Sequence, residues 1–184
     1  MPDDDKAGAP LDAALDAALD ALAGLALSRL GRTGDTLWIQ LGPLREIDGD
    51  DGPREVGAWA LHVACPWRWL ATDRLVVGSG DLLTPADADV ELEDYDWDEP
   101  GASWLDVRLG ELAAHLAGSP ASIFRATRDR WLGLRLELDD DTMIELFPNS
   151  TATGHVSTEF WRLFQPGTGG AHLVTGTFGV DREG

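Results

Sequence analysis

The chain of 184 residues holds a single cysteine, a single tyrosine and a single lysine, set against 33 acidic residues. One cysteine, Cys65, closes no internal disulfide and supplies no paired-thiolate zinc site. No apolar run approaches the roughly 20 residues that a membrane-spanning helix needs, so no membrane partner is expected. The opening Met1-Pro2-Asp3-Asp4-Asp5 is acidic where an export signal is basic. With the unpaired thiol, this points to a reducing, cytoplasmic setting. The formal charge of −19 opposes nucleic-acid phosphates, so no nucleic-acid partner is expected either. That charge suits a basic protein partner or a cation, and it is equally the composition of a well-solvated surface.

What is present is a strand-rich pattern. The centre is 58–81, AWALHVACPWRWLATDRLVVGSGD, which alternates, turns near Asp73 and continues as a second strand through Arg74–Leu83. Trp59, Leu61, Val63 and Cys65 share one side of its first strand; Ala58, Ala60, His62 and Ala64 share the other. Arg130–Leu138 and Thr142–Phe147 form the clearest hairpin, with an acidic turn at Asp139-Asp140-Asp141. Further strands are expected at Thr36–Leu41, at Ser122–Ala126, and in the pair Ser157–Phe164 and Ala171–Val180. Asp48 to Pro53 is a loop by composition. Short turns between strands argue for antiparallel pairing.

Two helices complete the pattern. Residues 1–9 are expected as a disordered tail, and 10–184 as one domain. Residues 10–30 repeat LDAA, with Leu11, Leu15, Leu19 and Leu22 at helical spacing and Gly31 as the stop. That leucine stripe must pack on the sheet or on a second copy in a homodimer, since lone amphipathic helices are marginal. Leu105–Leu116 reads as a short middle helix. The fold expected is therefore α+β: a mainly antiparallel sheet of seven or eight strands, rolled or forming an open barrel, with an N-terminal and a middle helix.

The segments ALHVACPWRW, VVGSGDL, IELFP, WRLF and HLVTG resemble a set of small, uncharacterised, mostly actinobacterial single-domain proteins. The resemblance spans most of residues 36–178. It implies one compact domain and transfers no catalytic residue. Genes for such proteins can sit near toxin and immunity genes, which favours a binding role.

Sites of chemistry are weakly signalled. Asp94-Tyr95-Asp96-Trp97-Asp98 alternates carboxylates, yet Glu99 stands where a calcium hand needs glycine and Leu105 where it needs glutamate, so no metal site is expected. His62, His115, His155 and His172 lack zinc spacing. Gly78-Ser79-Gly80 is no nucleophile elbow. Walker and dinucleotide loops are absent, so no cofactor is expected. Arginines among apolar strand residues need partners, and strand register suggests Arg68–Asp81 and Arg135–Glu145.

Two functional readings follow, with enzyme activity left open and disfavoured. In the first, a non-catalytic interaction protein, immunity-like or regulatory, uses Asp94, Tyr95, Asp96, Trp97 and Asp98 against a basic partner. In the second, a sheet face carrying His62, Arg68, Asp81, Trp161, Arg162 and His172 binds a small ligand or houses a small active site.

Overall fold

The computed structural model describes residues 5–49 and 52–184, and for residues 5–9 the backbone alone. Helix α1 spans Asp5–Asp20. The chain then reverses at Gly24, whose φ of +81° suits glycine, and its N–H donates to the Ile123 carbonyl at 2.8 Å. Strands β1 (Leu27–Thr33) and β2 (Thr36–Leu41) follow, then a hairpin of β3 (Arg45–Gly49) and β4 (Gly52–Val56). Next come β5 (Trp59–Val63), β6 (Trp67–Leu70) and β7 (Leu75–Gly78), a 3-10 turn at Ser79–Leu83, and helix α2 (Trp104–Gly118). The chain ends in β8 (Ile123–Arg128), β9 (Leu134–Leu138), β10 (Met143–Leu146), β11 (Glu159–Phe164), β12 (His172–Gly176) and β13 (Gly179–Glu183).

The fold is α+β and its sheets are antiparallel. Six strands run in the order β1-β2-β5-β11-β12-β13 and five in the order β7-β6-β10-β9-β8, with β3–β4 as a separate ribbon. The thirteen strands among the described residues exceed the seven or eight expected. Eleven of them form two open sheets, and β3 and β4 make the ribbon. The sheets share one core: Ile39, Leu61, Val63, Trp161 and Leu163 from the first meet Trp67, Trp69, Leu134, Leu136 and Ile144 from the second. Each strand turns alternate residues inward, so the outer faces carry the polar groups. Helix α1 packs against β13 and β8, and α2 against β1 and β7.

Three sequence expectations need correction here. The helix expected over 10–30 ends at Asp20, and 27–33 is a strand, so Arg29, Gly31 and Arg32 lie in β1. A bulge between Leu27 and Arg29 turns both Leu27 and Leu30 inward. Two inward leucines three apart imitate helical spacing. The tail expected at 1–9 is helical from Asp5, while residues 1–4 lie outside the described residues. The strand expected over Arg74–Leu83 stops at Gly78, where the 3-10 turn begins. The leucine stripe of α1 belongs to this chain's own core, with Leu15, Leu19 and Leu22 buried there. On its polar side Asp12 and Asp16 both pair with Arg128 of β8, at 2.9 and 2.7 Å.

Candidate functional site

The segment 84–103 leaves the sheet at the 3-10 turn and returns at the start of α2. Its two ends are tied together: Ala86 N–H donates to the Ala102 carbonyl and Trp104 N–H to the Thr84 carbonyl, both at 2.7 Å. Ends this close make a compact surface loop. Ser103 caps α2, accepting from Asp106 N–H at 3.1 Å, and Asp106 Oδ2 in turn accepts from the Ser103 hydroxyl at 2.8 Å. The same carboxylate takes Arg32 from β1, through Nε at 2.6 Å and Nη2 at 2.8 Å. Arg32 Nη2 also donates to the Trp97 carbonyl at 3.0 Å, and Nη1 to that of Gly34 at 2.8 Å. One guanidinium therefore fixes the loop, the helix start and the β1–β2 turn. Its hydrogen bonds hold the Asp106 carboxyl down at about 2 against the opposing effect of burial.

Outside that anchor, the loop is anionic and apolar at once. Asp87, Asp89, Glu91, Glu93, Asp94, Asp96, Asp98 and Glu99 form no ion pair among the described residues. Leu92 stands 73% exposed and Trp97 40% exposed among them, with Leu83, Val90 and Trp104 exposed alongside. Asp96 Oδ1 accepts from Asp98 N–H at 3.0 Å, and Asp87 Oδ1 from Asp89 N–H at 2.9 Å, so local turns shape the loop. Tyr95 is half-buried within the loop. Its hydroxyl donates to the Leu82 carbonyl at 2.6 Å and pins the loop to the body.

The six residues expected to share a sheet face divide among three places. His62, Arg162 and His172 do meet, on the outer face of the six-stranded sheet. Phe164 lies between the histidines, edge-on to His62 at 5.0 Å and stacked on His172 at 4.1 Å. Arg162 Nη1 lies 3.3 Å from His172 Nδ1, while its other donors engage Glu159 and Glu183. Burial, and then the Arg162 charge, lowers the pKa of both imidazoles. The β3–β4 hairpin leans beside this face: Arg45 donates to the Pro166 carbonyl. Trp161 points the other way, into the core, where its indole N–H donates to the Leu132 carbonyl at 2.8 Å.

Arg68 and Asp81 lie in the other sheet and do not pair. Arg68 stands opposite Gly78 and Glu145 and bonds Glu145, while Asp81 Oδ2 accepts from Gly78 N–H at 2.9 Å. The expected register fails because β7 ends before Asp81 is reached. The Arg135–Glu145 pair forms as expected, at 2.6 Å.

Neither histidine of the Phe164 cluster hydrogen-bonds a carboxylate among the described residues. Cys65 is buried, and burial pushes its thiol up to about 12, so no thiolate is on offer. Among the described residues no three His, Cys, Asp or Glu side chains converge on a position for a metal ion. Sequence reasoning missed the Arg32–Asp106 anchor, because its partners lie 74 residues apart. No family model, curated protein or solved structure matches this chain.

Proposed function

We propose that this protein is a non-catalytic binding module that presents the 84–103 loop to a basic partner protein. The observation carrying the reading is the exposure of Leu92 and Trp97 on a loop anchored by Arg32 and Tyr95, whose carboxylates form no ion pair among the described residues. Apolar anchors with a charged surround are what a protein interface uses: the anchors supply burial, and the charges supply steering and selectivity. A pinned loop also loses less conformational entropy on docking than a free one. The toxin and immunity neighbourhood implied by the resemblance above suits an immunity-like or regulatory partner.

The test is quantitative binding to a partner captured from the source cells and then purified. Neutralising Asp94, Asp96 and Asp98 to Asn should slow association about tenfold or more at low salt and flatten its salt dependence. Trp97→Ala should act on dissociation instead. If the triple variant and Trp97→Ala both bind with wild-type rates, the loop is not the docking surface.

A further inference from the structure

We propose that the open face of the five-stranded sheet holds a separate site for a small monocarboxylate with an apolar or aromatic body, gripped by Arg68 and Arg135. This inference stands apart from the acidic loop and does not depend on it. The two arginines sit on β6 and β9, on either side of Glu145 in β10, in one cross-strand row. Arg68 reaches Glu145 Oε2 through Nε at 2.8 Å and Nη2 at 2.7 Å. Arg135 reaches Oε1 at 2.6 Å through Nη2 alone. Both guanidinium side chains remain about half exposed (51% and 52%), whereas the carboxylate they share is 14% exposed. Two cations thus share one anion. Arg135 Nε and Nη1 and Arg68 Nη1 have no protein partner among the described residues.

Both arginines line a cleft of about 410 Å³. Its other charged groups are already engaged. Arg128 turns to Asp12 and Asp16, and Asp129 Oδ1 accepts from the N–H groups of Trp131 and Gly133 at 2.7 and 3.0 Å. The row of Arg68, Glu145 and Arg135 carries one positive charge in excess, and Asp129 beside it keeps its own negative charge, so a singly charged anion is matched better than a dianion. A planar carboxylate fits the guanidinium fork through paired hydrogen bonds. Half-exposed Phe147 lies under Arg68, ring centroid 5.7 Å from Cζ, and offers a surface for an apolar body.

The turn that leads into the cleft at Gly133 is preorganised, although Leu132 itself does not line the cleft. Leu132 holds φ at +64°, a conformation that leucine rarely adopts. It is kept there by the Asp129 turn and by the Trp161 indole bonded to its carbonyl. Strain of this kind gathers at ligand clamps. Gly133 completes the rim, because a Cβ there would stand 2.7 Å from Asp129 Oδ2.

The experiment titrates the full chain with benzoate, acetate and inorganic phosphate at constant ionic strength, read by calorimetry and amide NMR. Benzoate should bind saturably and shift resonances around Arg68, Arg135 and Phe147. Acetate and phosphate should bind several-fold more weakly. Arg135→Gln should weaken benzoate about tenfold or more, with an unchanged far-UV spectrum. Should that variant fail to fold, Phe147→Ala, which alters only a half-exposed ring, should still weaken benzoate over acetate. Absence of saturable benzoate binding, equal affinity for phosphate, or wild-type affinity in the folded variants would overturn the proposal.

Discussion

Arg32 and Asp106 meet through two parallel hydrogen bonds of 2.6 and 2.8 Å, joining a strand of the six-stranded sheet to the first turn of α2. Their side chains are 7% and 17% exposed, so neither charge is well served by water. Removing Arg32 strands a carboxylate that also caps the helix. Arg32→Ala should therefore cost about 3 kcal/mol by urea denaturation. It should also open the 84–103 loop to limited proteolysis under native conditions. A wild-type denaturation midpoint in that variant would show that the pair is dispensable.

Acidification should destabilise the protein in two stages. His62 and His172 both have pKa values below the ordinary 6.5 when folded, so the unfolded chain takes up protons first. Stability is then complete above about pH 6.5 and declines as pH falls through that value toward the folded pKa values. The Asp106 carboxyl moves from 3.8 to about 2, so its contribution is present above 3.8 and is lost as pH falls toward 2. By linkage Asp106 contributes roughly 2 kcal/mol to that second stage. Urea titrations at a series of pH values should resolve both stages. The double variant His62→Phe, His172→Gln should lack the first and keep the second.

Cys65 should be inert while the protein is folded. Its thiol is buried and pushed up to about 12, so almost no thiolate exists near neutrality. Labelling with a chromogenic disulfide at pH 8 should proceed only as fast as the chain opens, and at once in urea. Rapid stoichiometric labelling of the native protein would contradict the burial described.

Gly31 lies beneath the indole of Trp38 across the β1–β2 pairing. A Cβ at that position would meet the ring itself. Gly31→Ala should destabilise by about 1–3 kcal/mol, as overpacking does. Gly80→Ala is the control, since nothing lies within 4 Å of a Cβ there. Thermal melts of the two variants should separate clearly; similar melting temperatures would show that the indole gives way freely.

How much of this was legible in the sequence varies with the kind of signal. The β9–β10 hairpin could be read because its leucines alternate without interruption and its turn is acidic, and the Arg135–Glu145 pair followed from that register. Bulges defeated the same logic elsewhere. They interrupt β1 between Leu27 and Arg29, β7 between Leu75 and Val77, and β8 between Ile123 and Arg125. Each shifts the period of two by one residue, so counting along the chain puts side chains on the wrong face. The division of the strands into two sheets left no local trace, so Arg68 and Arg162 read alike although they belong to different sheets. The Tyr95 bond to the Leu82 carbonyl also left no trace in sequence, because a phenol that anchors backbone looks there like one that faces solvent.

The placement of the helices has a consequence for solubility. The strands α2 touches, β1 and β7, end the two sheets on one side; those α1 touches, β13 and β8, end them on the other. Unpaired ladders at such margins are templates for strand addition, and here each helix shields a pair of them. A protease cut at Gly24 that released α1 would bare two adhesive margins at once, turning a highly charged fold into a seed for fibrous aggregates.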